Sequence, residues 1–576
     1  MTAGQLLDGS LIVALAAMLI SGRVAPTRAF AIFAIAAVLS GRIAFETALT
    51  ALSSPAIWAV VALVIFSLAL AKLSILRKVF FARRPTGLRP TLARMLSAAG
   101  ILSAVIPNTA IVAALLGPAS RRPNISGHQL LLPLSYMALA GGMMTPFGTS
   151  ASLMVVGQSS AEGIALEVVD FLLPGSLTAV FVFIALWVAL PIVLKAPASR
   201  IDDALEVYSL EASIPKGSRL AGRSVAAAGL RHLHSFYLAE IIRGNQIIAP
   251  ARPNQVLAEG DRLNFVGDIE QLDELQGIGG FDLLPGAGGH TYGTSYRAVV
   301  SAGSVLVGRT LKEVEFRSRF DASVLAVRRA DRALSGKLGE VRLQAGDLLV
   351  VAAGPDFHAR DNLSANLHLL DSDEADFAAL PVGKSIMLGL AFAGFLVTAL
   401  FQLAPIPLAA VFLAAVAVIF DWVSPREARR NFPFDLVIVL WGAVLLSLLV
   451  RQSGLSALIA ENVALVSAGL PAAAALAAIF FMAWMMTEFF SNTSAALIAL
   501  PIALDTATAV TAEPAAFALA AAFGASASFF MPFGYQTHLM VLSPGRYRMM
   551  DYFKLGAVVF VAYSGAAIAA LSLFAI

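Results

Sequence analysis

The chain has 576 residues, 58% hydrophobic and 13% charged, where ordinary soluble domains carry roughly 25% charge; mean hydropathy is +0.80. So apolar a composition excludes a soluble single-domain protein, and the net charge of +3 gives no basis for nucleic-acid binding. Cysteine is absent, which excludes disulfides, Cys-ligated zinc and thiol chemistry.

Of the 77 Lys, Arg, Asp and Glu residues, 43 lie between Arg200 and Asp376, so two nearly charge-free arms flank a polar middle. Residues 1–21 hold no Lys or Arg, and Asp8 precedes the first apolar run, which reads as a transmembrane helix rather than a secretory signal. In the first arm, apolar segments fall at about 9–21, 27–40, 54–76, 95–119, 128–147 and 168–195; several exceed the ~20 residues a bilayer crossing needs. The second arm repeats the style at about 384–401, 404–422, 432–450, 454–469, 472–490, 493–510, 514–532 and 555–576. Pro107, Gly117-Pro118, Gly141-Gly142 and Pro532 interrupt these runs. Broken hydrophobic segments at matching places in two halves point to a transporter site.

The match is measurable. Pro146-Phe147-Gly148 recurs 386 residues later as Pro532-Phe533-Gly534, each followed after four residues by Leu-Met-Val. Asn108-Thr109 recurs 384 residues later as Asn492-Thr493, with a hydroxyl residue, Ser103 or Thr487, five positions before each Asn.

The polar middle carries a second repeat, of 86 residues. Gly217-Ser218, Gly222-Arg223, Arg231 and Gly260-Asp261 match Gly303-Ser304, Gly308-Arg309, Arg317 and Gly346-Asp347. Short β-like runs at 263–266 and 348–351 follow each Gly-Asp turn. Two copies of one small domain are expected to pack together, joined by the Gly-rich stretch 280–295 and followed by an acidic joint at 371–376. The spans expected are 1–198 and 380–576 for the membrane halves, and 205–280 and 292–370 for the two inserted domains.

Arg77, Lys78, Arg83, Arg84, Arg89 and Arg94 form one basic stretch, and Arg426, Arg429 and Arg430 another. The positive-inside rule places both in the cytoplasm, with the insert on the same side.

The repeated residues are small, neutral and hydrogen-bonding, and they sit beside Pro and Gly. Broken backbone in a membrane leaves N–H and C=O groups to be satisfied. Helix N-termini offer N–H groups to an anion; carbonyls, hydroxyls and Asn oxygens suit a cation. The motifs hold no Arg or Lys, so an anion there needs a co-bound cation to balance it. The plainer reading is that Asn and Thr hydrogen-bond a neighbouring helix. Among other polar residues, Glu488 has two readings, a structural bond to the hairpin or attraction of a cation. Asp505 is expected solvated at a helix end, and Arg451 is expected to snorkel. His232 and His234 are expected on a strand or loop, not on a metal.

Pro107-Asn108-Thr109 and Ser491-Asn492-Thr493 resemble the paired Ser-Asn-Thr motifs of the divalent anion:sodium symporter family. Gly534-Tyr535-Gln536-Thr537 with Leu539-Met540-Val541 resembles its sulfate-transporter subgroup, and the paired insert resembles two TrkA-C domains. The resemblance implies an α-helical polytopic membrane protein of two inverted repeats with re-entrant hairpins, an elevator-type homodimer in the plasma (inner) membrane, with the TrkA-C domains cytoplasmic. It implies Na⁺ held by Ser103, Asn108 and Gly148 in one half and by Thr487, Asn492 and Gly534 in the other. Substrate contacts would come from Asn108, Thr109, Thr149, Ser150, Ser491, Asn492, Thr493, Tyr535 and Gln536. The substrate implied is a small divalent anion, sulfate first, with dicarboxylate or citrate next. The TrkA-C domains leave room for a small-molecule or nucleotide effector; no organic cofactor, nucleic acid or enzymatic reaction is expected. Pro107, Ser152 and His538 depart from the family pattern, which opens the choice between Na⁺ and H⁺ coupling. An ion channel gated by TrkA-C domains is the competing class, and Phe533-Gly534-Tyr535 is its only filter-like sequence.

Overall fold

The computed structural model describes residues 3–20, 24, 26–70, 72, 87–120, 125–194, 209–230, 233, 236–244, 246–248, 251–267, 278–283, 295–334, 338–354, 356–360, 362–370, 380–430, 432–489 and 491–574. Arg77, Lys78, Arg83, Arg84, Arg231, His232, His234, most of the 280–295 linker and the 371–376 joint lie outside them.

The first arm runs α1 (Ala3–Ile20), α2 (Pro26–Leu39), α3 (Phe45–Leu52), α4 (Pro55–Leu70), α5 (Leu88–Ser103), α6 (Asn108–Ser120), α7 (Leu131–Gly141), α8 (Ser150–Ala161) and α9 (Val168–Val193). The polar middle gives strands β1 (Ser209–Ser213), β2 (Phe236–Arg243), β3 (Gln246–Ile248), β4 (Arg262–Gly267) and β5 (Asp282–Leu283). It continues with β6 (Ser295–Val300), α10 (Phe316–Phe320), β7 (Ala322–Arg329), β8 (Arg332–Leu334), β9 (Leu348–Ala353), α11 (Leu363–Asn366) and β10 (Leu367–Leu369). The second arm runs α12 (Val382–Leu400), α13 (Ile406–Ile419), α14 (Pro425–Arg430), α15 (Phe434–Gln452), α16 (Leu455–Val466), α17 (Ala472–Thr487), α18 (Asn492–Ala509), α19 (Pro514–Ala525), α20 (Gln536–Leu542) and α21 (Met549–Ser572).

Among the described residues, five helical stretches are long and apolar enough to cross a bilayer: Phe45–Leu70, Val168–Val193, Val382–Leu400, Phe434–Gln452 and Met549–Ser572. Their outer faces expose large aliphatic side chains, such as Leu390 at 67%, Ile192 at 72% and Val561 at 71%. An apolar surface of that extent fits lipid, not water. Buried Asp8 takes two bonds from Arg42, at 2.6 and 2.7 Å, the geometry a desolvated carboxylate needs.

The two arms are built to one plan. The turn after α2 sends the N–H groups of Arg42 and Ile43 to the Ala37 carbonyl; the turn after α13 sends those of Trp422 and Val423 to the Ala417 carbonyl. Contacts correspond when the arms are exchanged: α2 packs on α15 as α13 packs on α4, and α6 meets α20 as α18 meets α8. The long helices α9 and α21 pack on each other. Some segments expected to be continuous are split. Residues 128–147 yield only α7 before a 3-10 turn at Gly142–Met144, and α16 has just 12 residues.

The middle holds two five-stranded antiparallel sheets, ordered β3-β2-β4-β1-β5 and β10-β6-β9-β7-β8. Reading each from its hairpin edge, corresponding strands lie 86 residues apart, and so do the bulges between Leu238 and Glu240 and between Val324 and Ala326. In each sheet an Arg at the end of one strand holds the Asp of the Gly-Asp turn with two bonds of 2.8 Å: Arg243 on Asp261, and Arg329 on Asp347. Each sheet has its own apolar core. Between the sheets, Arg252 reaches Asp321 at 3.4 Å and Arg317 reaches the Ala251 carbonyl at 3.4 Å.

Candidate functional site

Four breaks in the arms bring the repeated residues inward. Between α5 and α6 the chain stops at Ser103 and restarts at Asn108, because Pro107 has no N–H to continue the ladder. The same break separates α17, ending at Thr487, from α18, starting at Asn492, with Ser491 as its cap: Ser491 Oγ accepts the Ser494 N–H at 3.2 Å. Thr149 caps α8 in the same way, accepting the Ser152 N–H at 3.1 Å. The fourth break, residues 526–535, precedes α20.

The site residues of the two arms touch. Asn108 Nδ2 donates to the Tyr535 hydroxyl at 2.9 Å, across 427 residues of chain. Ser150 Oγ lies 3.0 Å from Thr493 Oγ1, across 343 residues. The N-termini of α6, α8 and α18 thus face one polar region, with Tyr535 and Gln536 arriving from α20. Asn108, Thr149, Asn492 and Thr493 are buried, and Gln536 is exposed. Among the described residues no side-chain hydrogen bond joins Thr109 to the other named residues, while Ser491 turns to Ser494 Oγ at 2.7 Å.

The first arm offers an oxygen cluster. Ser103 Oγ hydrogen-bonds Asn108 Oδ1 and lies 2.6 Å from the Ala138 carbonyl. One hydroxyl proton cannot serve both acceptors, so lone pairs are left over, as a cation site requires. A Cβ on Gly148 would fall 2.2 Å from the Gly142 carbonyl and 2.6 Å from the Ser103 carbonyl. A Cβ on Gly142 would fall 2.7 Å from Asn108 Oδ1. Glycine at both positions is what lets these oxygens close in. The donor set fits Na⁺, which takes neutral oxygens, and holds no thiolate or imidazole. Among the described residues no group of three His, Cys, Asp or Glu could hold a metal.

The second arm differs in detail. Thr487 Oγ1 donates to Asn492 Oδ1 at 2.8 Å. Asn492 Nδ2 and Ser528 Oγ are buried with no partner among the described residues. Ser528 stands 386 residues after Gly142, and its hydroxyl occupies the space beside Gly534, 2.1 Å from where a Cβ would be. Gly142 was marked in the sequence only as a break in an apolar run, and Ser528 was not singled out, since a lone Ser in apolar sequence carries no signal until the 386-residue register is applied to it.

The Ser152 and His538 positions are both occupied structurally. Ser152 Oγ lies 2.8 Å from Thr149 Oγ1. His538 is fully buried; Nδ1 lies 2.7 Å from Ser135 Oγ and Nε2 lies 2.7 Å from the Ser528 carbonyl. A carbonyl only accepts, so Nε2 carries a proton. Ser135 also reaches Thr537 Oγ1 at 2.7 Å, and Tyr136 donates to the Phe529 carbonyl at 2.7 Å. The fourth break is thereby pinned to α7. Both oxygens of Glu488 are sealed from solvent beside the amides of Phe529, Phe530 and Met531 and the Trp484 indole. Asp505 lies about one turn from the end of α18, and with Glu162 it flanks Arg451, which bonds Glu162 and lies 3.7 Å from Asp505. Asp505 and Arg451 are both partly exposed near helix ends, and they pair with each other as well.

Comparison with known proteins places this geometry. The profile of the citrate transporter family matches residues 16–522. The chain is 29% identical over 480 residues, 80% of this chain and 78% of the relative, to an uncharacterized transporter of Synechocystis sp.. It is 27% identical over 372 residues, 62% of this chain and 42% of the relative, to sodium/sulfate cotransporter 2 of Chlamydomonas reinhardtii. A 138-residue stretch, 24% of this chain and 26% of the relative, is 26% identical to the sodium-dependent dicarboxylate transporter SdcS of Staphylococcus saprophyticus. With an apolar outer face, two arms of one plan and a polar region where they meet, the chain is an integral membrane transporter and belongs to the citrate transporter family.

Proposed function

We propose that the protein is a secondary active symporter that carries a divalent oxyanion, sulfate first, with Na⁺. The observation that carries this reading is the meeting of the two arms at Asn108–Tyr535 and Ser150–Thr493. Helix N-termini and hydroxyls there suit an anion, and no Lys or Arg is among the named residues to neutralise it. Na⁺ at the Ser103–Asn108–Gly148 cluster, and at Thr487, Asn492 and Gly534, supplies the missing charge, so anion and cation bind best together. Thr109, Thr149, Ser491, Thr493 and Gln536 complete the anion's surroundings.

The arms are read as inverted repeats with re-entrant hairpins at 103–108 and 487–492, moving as an elevator in a homodimer. Lys72 bonds Glu427 at 2.6 Å and the Leu380 N–H reaches the Lys72 carbonyl at 3.2 Å. These contacts bring Lys72, the basic 426–430 segment and the return from the insert to one end, which supports a cytoplasmic insert in an inner-membrane protein. The two sheets are read as TrkA-C domains, spanning 205–280 and 292–370, that sense a small ligand.

The test is uptake into proteoliposomes. Labelled sulfate should accumulate under an inward Na⁺ gradient and stop when choline replaces Na⁺. Accumulation indifferent to Na⁺ but driven by a pH gradient would replace Na⁺ with H⁺, and indifference to both would end the symport reading. Because the matching family profile is that of citrate transporters, labelled citrate and succinate form the second arm of the panel. Saturable uptake of either, unopposed by sulfate, would move the substrate to carboxylates.

A further inference from the structure

The two β sheets are copies 86 residues apart, so the first serves as a control for the second. Several of the positions at which they differ lie where the second sheet meets the membrane arms. Leu348, at the start of β9, and Val299, in β6, are buried in the apolar core of the membrane arms. Their counterparts are Arg262, half exposed and paired with Glu211, and Ser213. Ala330 donates its N–H to Ser543 Oγ at 3.0 Å, and Asp331 pairs with Arg548 at 2.7 Å. Their counterparts are Gly244 and Asn245. A Cβ on Gly346 would fall 2.5 Å from the Leu539 carbonyl, whereas a Cβ on Gly260 would meet nothing within 4 Å. Arg328, where the first copy has Ile242, is pulled down to about 10 by burial and then by the neighbouring Arg546.

Every membrane-side partner in these polar and backbone contacts lies between Leu539 and Arg548, the end of α20 and the turn into α21. Helix α20 is seven residues long, about 10 Å at 1.5 Å per residue. Its far end carries Tyr535, bonded to Asn108, and exposed Gln536. We infer that the second β sheet is a docking element whose partner is the α20–α21 junction, and that its docking fixes where Tyr535 and Gln536 stand in the site. The first sheet lacks this surface and is left to relay or sense. This rests on Tyr535 and Gln536 facing the substrate, and it gives the insert a route of about one short helix to that site.

The chain has no Cys, so single cysteines report cleanly. In full-length detergent-solubilised protein, Gln536→Cys is labelled with a polar maleimide and the rate is compared in the Asp331→Arg, Arg548→Asp and doubly reversed backgrounds. The 331–548 pair is exposed on the Arg side, so each single reversal should shift the rate about two- to fivefold, and the double reversal should restore it. Unchanged rates in both single variants, or a double variant no closer to the start than either, overturn the inference. A second measurement covers variants that misfold: a short bis-methanethiosulfonate reagent should bridge Asp331→Cys to Arg548→Cys in the otherwise Cys-free chain, and failure to bridge overturns it as well. Neither readout uses a transported anion. An inactive wild type in the uptake assay would therefore sink the symport reading without touching this one.

Discussion

Asn108 and Asn492 occupy the same place in the two arms and are satisfied differently. Asn108 uses both ends of its amide, Oδ1 with Ser103 and Nδ2 with Tyr535. Asn492 uses only Oδ1, with Thr487, and leaves Nδ2 buried without a partner among the described residues. A buried unpaired donor costs free energy, and a bound anion removes that cost. Asn492→Asp keeps the shape and removes the donor. Losing one bond to a charged group is worth about 1.5–3 kcal/mol, so anion affinity should fall by about 10- to 100-fold while the protein still folds. Uptake kinetics read this as a raised KM; a KM within twofold of wild type would remove Nδ2 from the site. His538→Leu should act on the scaffold instead. It strips partners from the Ser528 carbonyl and Ser135, at about 1–3 kcal/mol, and should lower the thermal midpoint, whereas His538→Asn should recover much of the loss. Equal midpoints for the two variants would show that the bridge holds nothing. Ser491-Asn492-Thr493 was legible because a polar triplet in apolar sequence is conspicuous. Ser135 and Tyr136 were not, because they sit in an apolar helix and act only by reaching the backbone of a distant break.

At the level of elements, the breaks before α6 and α18 differ by one cap. Helix α18 starts with the Ser491 hydroxyl accepting an N–H, and α6 starts with Pro107, whose carbonyl alone accepts the Ala110 N–H at 2.9 Å. Pro107→Ser restores a side-chain cap, worth about 1 kcal/mol, and adds a hydroxyl beside the Ser103–Asn108 cluster. The Na⁺ concentration for half-maximal uptake should fall by about fivefold; an unchanged value would mean residue 107 stands clear of the cation. Strand β10 carries a different test. Burial holds the His368 imidazole below its ordinary value. The unfolded chain therefore takes up a proton that the folded sheet resists, so this group's stabilisation is present above the ordinary imidazole value and is lost as pH falls through the depressed one. Hydrogen exchange of the β6 and β10 amides, corrected for intrinsic rate, should show opening made easier by acidification in wild type and less so in His368→Gln. Parallel pH dependence in the two proteins would acquit His368. The 86-residue repeat made the strands after each Gly-Asp turn readable. Helix ends inside the arms were not readable, because apolar residues continue across α7, the 3-10 turn and the break without a change of period.

At the level of the whole molecule, the arms must change their relation if one site is to open to both sides of a membrane. Helix α15 packs on α2, α3 and α4 and also along α18, and α8 and α18 begin at the proposed anion residues Ser150 and Asn492. Arg451, in the last turn of α15, bonds Glu162 just past the end of α8 and approaches Asp505 of α18 at 3.7 Å. One guanidinium thus adds a polar tie between α15 and the ends of α8 and α18 remote from Ser150 and Asn492. Partly exposed pairs of this kind are worth about 0.2–1 kcal/mol, enough to bias two states of similar energy without locking either. Arg451→Gln removes the tie and leaves every anion contact in place. The turnover rate should change severalfold, the anion KM should stay within about twofold, and the effect of high salt on wild-type turnover should mimic the substitution, since salt screens the same pairs. A shifted KM with unchanged turnover would assign Arg451 to binding, and would mean that α15, α8 and α18 travel together through the cycle.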